Sequence, residues 1–249
     1  MNKEQIPRNA AFLLPPQPNS GIPEFGIKNA EVGTIRLRML GGITFLFGEL
    51  PMLLSADEIL RSLKGSLRLL QRQADGFRAF DTSVEGVWRS FSAIILTTPA
   101  FLVILADQRL QLGADRAVAG LFGDPGLVIR ETIIYIVSWI AFPLVMIGFV
   151  NLMGLGKRYA SYIVAYNWSG VIVSLTLSLP TTLRVLGLAQ VEHAAFFTAM
   201  LTVVLLQYRW FLARTALGIT EGLAIAVVAL DIATDIGVAS LMRTLASGI

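Results

Sequence analysis

Three carboxylates, Glu221, Asp231 and Asp235, stand in one long apolar stretch near the C-terminus. At about 100° per residue they fall within about 80° of one another on a helix. Ala229, Ala233 and Gly237 line the far side at small-xxx-small spacing, which suits close packing on a neighbour. A carboxylate surrounded by hydrocarbon needs a partner or a task. For Glu221 the sequence offers Arg209. Each stands about four residues inside the same end of two antiparallel helices, roughly 6 Å deep. A structural Arg209–Glu221 ion pair is therefore expected. Asp231 lies close to the expected midplane, with no obvious cation. One reading makes it a protonatable carboxylate in a transport or relay path. The favoured reading makes it a protonated or hydrogen-bonded residue held by Thr198 or Thr202, at similar depth on the preceding helix. Asp235 is placed nearer the outer surface, within reach of water.

A second polar cluster, Tyr162, Tyr166, Asn167, Trp168 and Ser169, precedes Gly170, Ser174 and Ser178, spaced at i, i+4 and i+8. The latter set is a close-packing stripe. The cluster either lines a site or hydrogen-bonds between helices, the commoner use. Asn167, Asp231, Asp235, Thr198 and Thr202 are thus the candidate intramembrane polar site. His193 is the only histidine and there is no cysteine, which excludes disulfides, thiolate metal sites and cysteine nucleophiles. The chain carries no Walker-type glycine loop, HExxH, GxSxG or helical HxxxD pair. We expect no enzyme activity, no cofactor and no metal.

The elements that position these residues follow from composition. Hydrophobic residues make up 55% and charged residues 15%, against about 25% charged in soluble domains. The fold expected is all-α, a polytopic helical membrane bundle. Five transmembrane helices are placed near 88–106, 131–153, 159–180, 193–213 and 217–242, each close to the ~20 residues a bilayer core requires. Pro99 and Pro143 are expected to kink their helices. Residues 1–54 carry no period and read as a disordered or poorly ordered extension, with five prolines before residue 24. Met52 is an alternative start, three residues before an organised helix. That helix, 55–74, opens with a Ser55/Glu58 capping box. Ile59, Leu60, Leu63, Leu67 and Leu70 share one face, and Arg61, Lys64, Arg68 and Arg72 form a stripe on the other. It reads as a basic amphipathic helix at the membrane interface, its cations near anionic lipid headgroups, or as a helix packed on the mouth of the bundle.

Basic residues set the orientation. One side carries Arg61, Lys64, Arg68, Arg72, Arg78, Arg89, Lys157, Arg158, Arg209 and Arg214; the other has Arg109, Arg116, Arg130, Arg184 and Arg243. The N-terminus is expected in the cytoplasm and the C-terminus outside. The net charge of +3 points to an anionic membrane surface and away from nucleic acid. A membrane-protein partner or a second copy are the other partners expected.

Three segments carry a resemblance to a known family: SLRLLQRQADGFRAFDTSVEGVWRSF over 66–91, AYNWS over 165–169, and RWFLARTALG over 209–218. With the five-span layout they resemble the Yip-domain (Ypt-interacting) family, bacterial branch, over about residues 55–245. The resemblance implies membrane organisation or partner recruitment, no catalysis, and a place in the bacterial inner membrane. It transfers no functional residue. The competing reading is a small-solute or ion transporter that uses the intramembrane carboxylates.

Overall fold

The computed structural model describes residues 55–111, 113 and 124–247. The expectations for 1–54, and the middle of the connector 107–130, lie outside the described residues. Every regular element among the described residues is a helix.

Helix α1 spans Ala56–Leu70. A 3-10 turn, Ala74–Ala79, leads to α2 (Val84–Ser90), α3 (Ala93–Leu96) and α4 (Thr98–Gln111). Four long helices follow: α5 (Pro125–Leu152), α6 (Tyr159–Val185), α7 (Val191–Leu217) and α8 (Glu221–Ser247). Each of these four is 27 or 28 residues long, about 40 Å at ~1.5 Å per residue. All four are long and apolar enough to cross a membrane. Their exposed faces carry Ile133, Ile136 and Ile140 on α5, Phe196, Phe197 and Met200 on α7, and Ile232 and Ile236 on α8. A soluble protein rarely leaves so much apolar side chain uncovered; hydrocarbon chains cover it without cost.

The first expected span has a different form. Residues Val84–Leu96 and Thr98–Gln111 are two helical stretches bent by 43°. Pro99 has no N–H to give to Ile95, and its ring crowds that carbonyl. At the bend the Ile94 carbonyl accepts from the Thr97 hydroxyl at 2.8 Å and the Tyr135 hydroxyl at 2.9 Å. Tyr135 thereby ties α5 to the break. Helices α5 and α6 instead run on through Pro143 and Pro180. Near Pro180 the Ser178 and Thr182 hydroxyls donate to the Leu175 and Ser178 carbonyls of the same helix. Helix α6 passes residue 180, where the span was expected to end.

Helix α6 is the hub. It packs against α1, α2, α3, α4, α5 and α7, while α8 closes the bundle on α5 and α7. The core joins Phe142 and Met146 of α5, Tyr162, Ile163 and Trp168 of α6, Leu205 and Leu212 of α7, and Ala224 and Val227 of α8.

The Ser55 hydroxyl caps α1, accepting from the Glu58 N–H at 3.1 Å. The apolar face of α1 docks in part: Ile59, Leu63 and Leu70 are partly buried against the core, beside a fully docked edge of smaller residues. Ser62, Gly65, Ser66 and Leu69 are buried, whereas Leu60 and Leu67 are 55% and 48% exposed. Small residues dock because the approach is close. A Cβ on Gly65 would lie 2.9 Å from the Gly76 carbonyl oxygen, and one on Gly76 would lie 2.6 Å from that of Gly65. Tyr208 of α7 donates to the Ser66 carbonyl at 2.9 Å in a buried contact.

Candidate functional site

The interior polar site is built on Tyr166. This residue sits on the inner side of α6, with its ring 4.6 Å from that of Phe142 and 5.9 Å from that of Tyr162. Its hydroxyl donates to Asp231 Oδ1 at 2.6 Å. The guanidinium carbon of Arg209 lies 3.9 Å from its ring centroid. Arg209 Nη1 donates to the Tyr166 carbonyl at 3.3 Å and the Ser169 hydroxyl at 3.4 Å. Arg209 Nε and Asp231 Oδ2 are 4.0 Å apart, and each side chain is 13% exposed. One tyrosine thus holds a cation on its π face and an anion on its hydroxyl. Three helices, α6, α7 and α8, meet through this set.

This geometry corrects two expectations. Arg209 does not pair with Glu221. Glu221 is the first residue of α8 and pairs with Arg214 at 3.2 Å, near the turn. Arg209, more than a turn further along α7, faces Asp231 instead. Nor do Thr198 and Thr202 hold Asp231. Their hydroxyls bond the Ala194 and Thr198 carbonyls of their own helix, at 2.9 and 2.8 Å, as threonines in helices commonly do. Asp231 therefore has the cation the sequence did not disclose. Asp235, one turn on, is exposed.

Asn167 takes no part in this cluster. Its Nδ2 donates to the Ser90 hydroxyl at 2.9 Å, a buried bond between α6 and α2. Among the basic residues of the N-terminal helix, Arg61 Nε donates to the Ala79 carbonyl at 3.1 Å and Arg68 pairs with Asp75 at 2.8 Å. Both clasp the 3-10 turn to α1. Arg72 Nη2 donates to Gln207 Oε1 at 2.9 Å, and Lys64 is exposed. The three arginines thus have structural partners, and each guanidinium retains N–H donors beyond them.

Sequence reasoning missed a second ionic hub. Arg89 Nε donates to both Glu58 oxygens, at 3.1 and 3.0 Å, and Nη2 pairs with Asp81. The hub joins α1, the loop before α2, and α2. Its signal was Glu58, which the capping-box pattern assigned to the Ser55 backbone. Burial pushes the Asp81 carboxyl up, but the Ser83 N–H, the Ser83 hydroxyl and the Arg89 charge outweigh it and hold it below 3.8.

Among the described residues no group of three or more His, Cys, Asp or Glu side chains is placed to hold a metal. In the interior site each charge is met by an opposite charge or a hydroxyl, the arrangement of a structural anchor. The chain matches no family model, no curated protein and no solved structure.

Proposed function

We propose that the chain is a non-enzymatic, multi-pass integral membrane protein that organises lipid or recruits a membrane partner at one face of the bilayer. The reading counts five spans, the bent α2–α4 unit being the first. It places the protein in the bacterial inner membrane, N-terminus in the cytoplasm and C-terminus outside. The Yip-like layout belongs to the same proposal.

The observation that carries it is the placement of α1. The helix meets α7 at Tyr208. The stretch from Tyr208 back to Val191, at ~1.5 Å per residue, covers about 26 Å, close to the ~30 Å of a hydrocarbon core. Docking at that level supports a place for α1 at the edge of the apolar layer. Around its axis the docked face is followed by the exposed Leu60 and Leu67, then by Lys64, Arg68 and Arg61. In this reading the helix lies along the interface, with Leu60 and Leu67 toward acyl chains and the cations toward lipid phosphates.

A photo-crosslinking residue at Leu60 or Leu67, activated in intact membranes, tests the reading. The expected products are adducts with phospholipid or with one stoichiometric membrane protein. Adducts with neither would overturn it. The alternative, a small-solute or ion transporter, draws on the exposure of Asp235 one turn from Asp231 and gains from that negative result.

A further inference from the structure

The seam between α7 and α8 opens into a groove of about 590 Å³, lined by Val203, Leu206, Gln207 and Trp210 on one helix and Ile225, Val228, Ala229 and Ile232 on the other, with Arg72 beside them. Both sets repeat at i, i+3, i+4 and i+7, so the groove runs along the helix axes and, in a membrane, along the acyl chains. Ala229 leaves the room. Chain direction gives the groove two ends. Val203 and Ile232 lie on the side away from the α7–α8 turn; Trp210 and Ile225 lie towards it.

Arg72 donates to Gln207, next to Tyr208, at the level the functional reading takes as the apolar edge. Its backbone is left-handed, with φ 61°, the only non-glycine among the described residues with positive φ. The Gln73 N–H closes on the Arg68 carbonyl at 2.9 Å behind it. This is a helix C-terminus whose left-handed position usually holds glycine. A strained arginine there is a cation held in place by the turn. Arg214 lies 5.3 Å from the Trp210 ring centroid, adding a second cation near the turn end. Tryptophan is itself favoured at headgroup level.

We propose that this groove holds one acyl chain of an anionic phospholipid, with the lipid phosphate on the Arg72 guanidinium and the tail along Leu206, Val203 and Ile232. The groove is apolar and axial where the tail would run. It is cationic at the height where the phosphate would stand, and its volume is within the ~300–1,000 Å³ of ligand sites. The guanidinium already donates to Gln207, which orients it, and its remaining donors suit bidentate contact with phosphate. The inference deepens the lipid-organising reading and rests on it.

The test titrates the detergent-purified full chain with phosphatidylglycerol or phosphatidylcholine of identical acyl chains, and counts adducts by native mass spectrometry. One phosphatidylglycerol should be retained about tenfold more tightly than phosphatidylcholine, because the choline cation of the latter offsets the phosphate charge that Arg72 meets. Arg72→Gln should abolish the preference and Arg72→Lys keep part of it. Ala229→Phe, at an exposed position, should fill the groove and weaken both lipids with helix content unchanged; Val203→Trp serves if that variant does not fold. Equal retention of the two lipids, or retention unchanged in Arg72→Gln and the filled-groove variant, would overturn the inference. Groove binding lost while Leu60 and Leu67 still crosslink overturns this inference alone. Groove binding intact without those crosslinks overturns the functional reading instead.

Discussion

Replacing Arg209 with methionine is expected to destabilise the bundle by about 3–5 kcal/mol, the usual cost of stranding a buried charge. Asp231 would keep the Tyr166 hydroxyl at 2.6 Å and lose its cation, in a site where both side chains are 13% exposed. Asp231→Leu alone should cost a similar amount, since it strands Arg209 over the Tyr166 ring. The double variant Arg209→Met with Asp231→Leu should recover most of the loss, because removing both charges together also removes their desolvation cost. Reversible unfolding in mixed detergent, across the four members of the cycle, measures this. Additive single losses would mean that the two charges do not interact, whatever their separation. The charge swap of Arg209 with Glu221 should rescue nothing, because Glu221 is engaged by Arg214.

Arg89→Gln should cost about 2–3 kcal/mol and release α1. The change removes two charge-assisted hydrogen bonds to Glu58 and the ion pair to Asp81, each such bond being worth about 1.5–3 kcal/mol when partly shielded. The estimate stays low because the Arg89 and Asp81 side chains are 26% and 35% exposed. Faster amide exchange or proteolysis within 56–70, with α5–α8 unchanged, is the expected signature. Unchanged protection of α1 would contradict the hub. Acid should act in the same direction. The Asp81 carboxyl is held below 3.8 in the folded protein. Its contribution is therefore complete above about pH 5, well above the unfolded value, and is lost as pH falls through the lower folded value. Asp81→Asn should flatten that part of the acid profile of α1 protection.

The long helices were legible because hydrocarbon leaves no choice: apolar stretches in 125–247 must satisfy their own backbone bonds. Their ends were not. Val185 and Leu217, the last residues of α6 and α7, lie beyond the expected ends of the third and fourth spans, because a helix can run on past the residues that hydrophobicity marks. The break before Pro99 was foreseeable from the ring chemistry of proline, whereas the same chemistry leaves the helix continuous through Pro180. At the site, the chemistry of Asp231 and Arg209 was visible as residue types. Their pairing was not, because depth was counted from assumed helix ends and an error of a few residues moves a charge by one turn. Tyr166 appeared only as part of a polar cluster; nothing in sequence spacing reveals that one ring serves two opposite charges. On α1 the hydrophobic period was real but ambiguous. The period locates the apolar face, of which Ile59, Leu63 and Leu70 pack on the core, while the closest approach goes to Ser62, Gly65 and Ser66, selected by size.

The proposed function turns on α1 lying in the membrane interface with Leu60 and Leu67 in lipid. The chain has no cysteine, so a single one can carry a fluorophore at position 60, 67 or 57 without other changes. In anionic nanodiscs, a lipid-borne quencher should reach the label at Leu60 and Leu67 and leave the label at Asp57 to aqueous iodide. Iodide quenching at all three positions, with no lipid quenching, would place α1 in water and contradict the account.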